Sequence, residues 1–171
     1  MQKIPKIGLP IILLSFVLII FISKSSINIG YGEAGVLFKT FGGGVVTDKA
    51  PLSEGFHIIA PWNKVYIYNV KIQEDYEAME VLSKNGLSIK IDLSFRFTPN
   101  VSQLGYLHDL VGEDYLESII RPEIRSVTRE VIGEYLPEEL YSTKREEVED
   151  KIFKITSSSI ADKYLFLDAI L

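Results

Sequence analysis

LSIKIDLSFRF, residues 87–97, is the stretch whose reading decides the fold. Its odd positions are Leu87, Ile89, Ile91, Leu93, Phe95 and Phe97, and its even positions are Ser88, Lys90, Asp92, Ser94 and Arg96. A period of two held for eleven residues belongs to a strand with one face on a core and the other in water. Pro99 ends it, and Asn85-Gly86 just before it is a two-residue hairpin signal, so residues 74–82 are expected to supply an antiparallel partner. Further upstream, residues 34–41 (AGVLFKTF), 56–60 and 64–70 (KVYIYNV) read as strands rich in β-branched and aromatic side chains. Gly42-Gly43-Gly44 reads as a flexible turn among them.

Beyond Asn100 the period changes. Ser102 is placed to cap a short helix carrying Leu104, Leu107 and His108, and residues 115–120 begin another. Pro122 in a first helical turn, followed by Ile124, Val127, Val131 and Ile132, predicts an amphipathic helix that Gly133 weakens and Pro137 ends. A last long helix is expected to open at Pro137-Glu138-Glu139, with Val148, Ile152, Ile155 and Ser159 on one stripe extended by Ile160 and Ala161. Its pairs Glu147 with Lys151 and Asp150 with Lys154 stand in the favourable acid-first order. Residues 166–171 look like a final strand. Strands first and helices after predict an α+β fold with an antiparallel sheet, not an alternating α/β sheet.

The N-terminal end differs from all of this. Residues 7–22 (IGLPIILLSFVLIIFI) are sixteen positions without a charge, preceded by Lys3 and Lys6 and followed by Lys24. As a helix the run reaches about 24 Å, a little short of a hydrocarbon core of about 30 Å. Snorkelling lysines and the inclusion of Ile4 and Ser23 make up the difference, so a single transmembrane helix with Ile7 and Ile22 as its ends is expected. A cleaved signal peptide is the rival, with Ser23-Lys24-Ser25 as a loose small-x-small site that matches A-x-A poorly. Lysines flanking the run place the N-terminus in the cytosol and the domain on the extracytoplasmic side.

The division falls at residues 26 and 27, with 1–26 as tip and span and 27–171 as one domain. That domain carries 15 basic and 23 acidic groups, a net charge near −8, which argues against holding nucleic acid through its phosphates. The absence of cysteine removes thiol catalysis and cysteine-ligated zinc. His57 and His108 are the only histidines, and neither has a second ligand residue at helical spacing, so no metal is expected. No Gly-Lys-Ser/Thr follows the triple glycine and no Gly-x-Ser-x-Gly is present, so neither a phosphate cradle nor a hydrolase elbow is expected. A Ser142/Lys144 hydrolase would need residues two apart on a helix to face each other, which they do not. No catalytic residue and no cofactor are expected. Arg121, Arg125 and Arg129 recur every four residues on one helix face; pairing with Glu117, Glu123 or Glu130, or with a neighbouring subunit, is the plain reading, and anionic lipid the sharper one. Asn100-Val101-Ser102 is formally a glycosylation sequon and also a helix cap.

Residues 32–45 (GEAGVLFKTFGGGV), 52–74 (LSEGFHIIAPWNKVYIYNVKIQE), 81–100 (VLSKNGLSIKIDLSFRFTPN) and 115–149 together resemble the prohibitin branch of the stomatin, prohibitin, flotillin and HflK/HflC superfamily, the SPFH or Band 7 proteins. The resemblance implies a membrane-attached scaffold with no enzymatic activity: an N-terminal membrane segment, an α+β domain close to the bilayer, and a long helix through which copies assemble. It implies self-association or hetero-assembly with related SPFH subunits, organisation of membrane microdomains, and restraint of a membrane AAA protease of the FtsH type. The chain ends at Leu171, about where the extended assembly helix follows in the family, so a fragment or a member without its coiled coil is expected. Tyr31, Phe56, Ile58, Ile59 and Trp62 are candidate membrane-proximal residues, since Trp and Tyr favour the interface; building the domain core is the equal alternative. A secreted or anchored binding domain without a scaffolding role is the other functional reading.

Overall fold

The hairpin at Asn85-Gly86 forms the centre of the larger sheet. In the computed structural model, which describes residues 8–141 and 144–171, β6 (Gln73–Leu82) and β7 (Ser88–Pro99) run antiparallel from Leu82↔Ser88 to Gln73↔Phe97. Gly86 takes φ +81, a left-handed value that favours glycine in this tight turn. Along β7, Ile89, Leu93, Phe95 and Phe97 are buried while Ser88, Lys90 and Asp92 are exposed, so the alternation puts its apolar face on the core.

The described residues divide into two compact units, one holding the chain up to residue 46 with residues 51–69, the other residues 47–50 with 70–171. In the first, α1 (Gly8–Lys24) leads into β1 (Ser26–Ile29), which pairs antiparallel with β4 (Gly55–Ile58). Beside this lies a sheet of order β3 (Gly44–Val45), β2 (Glu33–Lys39), β5 (Lys64–Asn69). Ile29, Ala34, Val36 and Tyr68 are the buried apolar residues among those described in this unit. Gly35 is needed here because a Cβ would stand 2.7 Å from a Val65 methyl and 2.8 Å from an Ile29 methyl.

α1 has 17 residues, about 25 Å of helix. Among the described residues no helix is long and apolar enough to cross a membrane. The span expected over residues 7–22 is therefore not met in the described helix: Ile7 lies outside the described residues, and Ile22 is described in its backbone alone.

In the second unit β8 (Leu165–Ile170) adds to β7, giving the order β6-β7-β8. α2 (Leu104–Leu110), α3 (Arg121–Ile132), α4 (Pro137–Leu140) and α5 (Arg145–Ala161) follow β7 in the chain. Phe95, Phe97, Leu107, Ile124, Ile152 and Leu165 are fully buried in the core, each contributing about 1.5–3 kcal/mol by removal from water. This is the α+β order expected, with four local differences. Ser102 sits inside a 3₁₀ turn (Val101–Gln103), its hydroxyl donating to Asn100 Oδ1 at 2.7 Å, and does not cap α2. A π-helical turn (Leu116–Ile120) joins directly onto α3, the Arg121 N–H reaching the Leu116 carbonyl. Pro122 has no N–H to offer the Ser118 carbonyl, and the wider turn relieves the clash its ring would make there.

The long helix expected from Pro137 breaks after α4 and restarts at α5. Tyr141-Ser142-Thr143 is a run of modest helix formers, and Lys144 N–H turns back to the Glu139 carbonyl at 3.2 Å. Nor do the expected pairs on α5 form. Glu147 accepts from the Tyr135 hydroxyl, Lys151 pairs with Glu134, and the intrahelical pair is Arg145 with Glu149 at 2.7 Å. Residues just after α3 offer nearer partners than the next turn of α5 does.

Candidate functional site

Each unit presents one cluster of interest. In the first, the exit of α1 is tied to the loops between strands. Ile59 N–H donates to the Ser25 carbonyl at 2.7 Å, and the Ser25 hydroxyl donates back to the Phe21 carbonyl at 2.6 Å. Pro61-Trp62 lies in the turn between β4 and β5, where the Thr40 hydroxyl donates to the Trp62 carbonyl and holds the β2–β3 turn against it. The Trp62 ring then meets Phe21 edge-on at 6.3 Å and Phe41 at 6.1 Å. Edge contacts of this kind add about 0.5–1.5 kcal/mol each beyond burial.

The apolar character continues along the helix and the neighbouring strand. Ile12, Leu13, Leu14, Phe16, Leu18 and Ile19 of α1 are all exposed. Phe56 and Ile58 alternate on β4, share one face, and are 67% and 79% exposed. Tyr31 is 82% exposed at the tip of a turn whose Gly30 and Gly32 N–H groups donate to Glu33 and Glu54. Trp62 is 47% exposed and Ile59 half-buried. None of these five builds the unit's core.

In the second unit the inner face of β6 carries acids where a core strand would carry hydrocarbon. Asp75 and Glu77 share the face of Met79 and Val81, and Glu77 is only 5% exposed. α3 supplies the counter-charges. Arg121 binds Glu77 at 2.8 Å, Asp75 at 2.6 Å and Glu117 at 2.8 Å, and Arg125 binds Glu77 at 2.6 Å. Burial pushes the Glu77 carboxyl up, but hydrogen bonds from Arg125 and Arg121, with their charges, outweigh it and hold the group below its ordinary value. The Glu77 hydrogen bond in turn raises Arg121. Nearby, the buried Tyr115 hydroxyl accepts from the Gln73 amide at 3.1 Å, and burial raises its pKa. The arrangement clamps a helix to a sheet; its charges are already paired.

Of the partners read from the arginine spacing, Glu117 is met, but Arg125 finds its partner on β6, and Arg129 has no ion pair among the described residues. Asp75 and Glu77 were not anticipated. Their signal was the period of two itself, which puts Gln73, Asp75 and Glu77 in phase with Met79 and Val81. His57 turns Nε2 to the Ser53 carbonyl at 2.6 Å, and burial lowers the His108 pKa against the pull of Glu113 and Asp109. Among the described residues no three acidic or histidine side chains gather as a metal site. Ser142 lies outside the described residues; Lys144 pairs with Glu139 at 3.4 Å.

Residues 27–164 match the family model described as SPFH domain / Band 7 family. The chain is similar to Prohibitin-2 of Dictyostelium discoideum, 27% identical over 146 residues, covering 85% of this chain and 48% of that protein. It is likewise similar to mouse Prohibitin 1, 26% identical over 148 residues (86% of this chain, 53% of the relative). Prohibitin-1 of Saccharomyces cerevisiae is 27% identical over 138 residues (80% and 47%). The chain thus spans about half the length of these curated relatives.

Proposed function

Because the chain belongs to the SPFH domain / Band 7 family, we propose that it is a membrane-attached scaffold whose copies associate at the bilayer surface, without catalytic activity. Residues 1–26 act as cytosolic tip and anchor, with Ile7 to Ile22 in the hydrocarbon, and residues 27–171 form the SPFH domain on the extracytoplasmic side. The observation that carries this reading is α1, whose described side chains from Ile12 to Phe21 are exposed and, apart from Ser15, apolar, and whose Phe21 meets Trp62, which in turn meets Phe41. A 17-residue helix is short for a full span. Lys24 snorkelling and an interfacial contact through Tyr31, Phe56, Ile58 and Trp62 would share the load.

Association follows from the tether, since holding copies on one surface raises their effective concentration and lets weak contacts suffice. Partners of the same kind, copies of this chain or related SPFH subunits, are the natural ones. Microdomain organisation and restraint of an FtsH-type protease rest on the family resemblance alone; co-purification of such a protease from native membranes is their test.

Trp62 is the only tryptophan, which makes the membrane contact measurable. In the full chain reconstituted into vesicles, lipids brominated high on the acyl chain should quench Trp62 fluorescence strongly. Unquenched emission would count against the interfacial contact through Trp62, and extraction of the chain from native membranes by alkaline carbonate would count against the anchor. A mature N-terminus at Ser26 would instead point to a released binding domain.

A further inference from the structure

Charge is sorted within the first unit. Of the chain's 23 acidic groups only Glu33 and Glu54 fall in this unit. Both are tied to the turn before β2, where Glu33 accepts from the Gly30 N–H at 2.9 Å and Glu54 from the Gly32 N–H at 2.8 Å. The unit's described lysines are Lys24, Lys39 and Lys64, and none of them has an ion pair among the described residues. They gather where β2 ends. Lys39 closes β2 beside Thr40, whose hydroxyl holds the Trp62 carbonyl. Lys64 opens β5 two residues after Trp62 and stands opposite Phe38. Lys24 closes α1 three residues after Phe21, whose ring meets Trp62. Lone surface lysines are ordinary, but here every described cation of the unit surrounds one aromatic cluster and no carboxylate of the unit answers it. Phe41, 76% exposed, stands in the same cluster, followed by Gly42 and Gly43 at φ +99 and +116 in open space.

We propose that this end of the first unit binds acidic phospholipid: Phe41 and Trp62 enter the interfacial layer, and Lys24, Lys39 and Lys64 hold lipid phosphates around them. The combination names the occupant. Exposed aromatic rings favour the layer between headgroups and acyl chains, and an ammonium is a compact point charge for phosphate. A soluble anion would satisfy the lysines and leave the rings in water. A zwitterionic bilayer would take the rings and return little for three unpaired cations. Continuity with α1, whose exposed apolar side chains run up to this cluster, favours a bilayer over an acidic protein surface. The arginines of α3, the sequence's sharper candidates for anionic lipid, are otherwise engaged, since Arg121 and Arg125 are held by Asp75, Glu77 and Glu117. The inference rests on the membrane reading of the preceding section and adds to it a lipid class, a set of charges and one further contact, Phe41.

The test uses the full chain in mixed vesicles where a minority of the lipid is brominated, either the phosphatidylglycerol or an equal amount of the phosphatidylcholine. A lysine beside an anionic surface is worth about fivefold in affinity. Brominated phosphatidylglycerol should therefore quench Trp62 as though enriched about fivefold around it, and high salt should erase the preference. Combining Lys24→Gln, Lys39→Gln and Lys64→Gln should make the two lipids quench alike. Combining Lys90→Gln, Lys154→Gln and Lys163→Gln, which removes the same charge from exposed sites of the second unit, should leave the preference intact. Phe41→Trp on a Trp62→Phe background should report the same preference from the neighbouring turn. Equal quenching by the two brominated lipids in the wild-type chain overturns the headgroup contact and leaves membrane attachment standing. A preference lost equally in both triple variants traces it to net charge and overturns the assignment to these lysines. Trp62 quenched by neither lipid overturns the interfacial contact itself, on which the inference rests.

Discussion

At the scale of single residues, Glu77 is the position where most is at stake. Its carboxylate is nearly enclosed and serves two guanidinium groups at once, while Arg121 keeps Asp75 and Glu117 as further partners. Removing one member of a buried ionic set leaves the others uncompensated, at about 3–5 kcal/mol for an isolated pair. With two other acids still on Arg121, Glu77→Ala should cost about 2–3 kcal/mol, read as a shift of the urea midpoint. Acid should mimic the substitution. The folded carboxyl lies below its ordinary value of 4.5, so the unfolded chain takes up the proton first as pH falls. Glu77 therefore contributes stability above about pH 4.5 that disappears as pH drops through its folded value, and the stability of Glu77→Gln should fall less steeply below pH 4.5 than that of the wild type. Equal slopes would refute the assignment. That Asp75 and Glu77 face inward was written in the alternation of β6. That they meet Arg121 and Arg125 was not, because the partners lie more than forty residues apart and only the packing of α3 on β6 joins them.

Elements were legible where local periodicity decides and obscure where neighbours do. The hairpin at Gly86, β7, and the start of α3 at a proline all follow from sequence because turn chemistry, pleat and cap are local properties. The break between α4 and α5 and the partners of Glu147 and Lys151 depend on what the segment after α3 offers, which no helical period encodes. α3 and α5 also bury two threonines, Thr128 and Thr156, whose hydroxyls find no hydrogen-bond partner among the described residues. A buried hydroxyl without a partner costs about 1–3 kcal/mol, while valine keeps the branched shape without the polar atom. Thr128→Val and Thr156→Val should each raise stability by about 1 kcal/mol, seen as a higher thermal midpoint at unchanged secondary structure. A loss at either site would mean that its hydroxyl is satisfied in solution.

For the molecule as a whole, the reading turns on whether α1 holds the chain to a bilayer. The apolar run was the plainest feature of the sequence, yet its length as a described helix falls short of a span, so attachment has to be tested at the helix and not inferred from hydropathy. Phe16 stands midway along α1 and is 64% exposed. In a bilayer this position lies deepest, and an arginine there costs about 2.5–3.5 kcal/mol on insertion scales, which is a drop of roughly 70- to 400-fold in partitioning. In water the same exposed arginine costs almost nothing, because Phe16 contributes little to either unit's core. Phe16→Arg should therefore release the chain into the soluble fraction while leaving the urea midpoint of the domain unchanged. If Phe16→Arg remains resistant to alkaline extraction, attachment runs through the Tyr31, Phe56, Ile58 and Trp62 surface instead. Charged substitutions at Phe56 and Ile58 should then release the chain where Phe16→Arg did not.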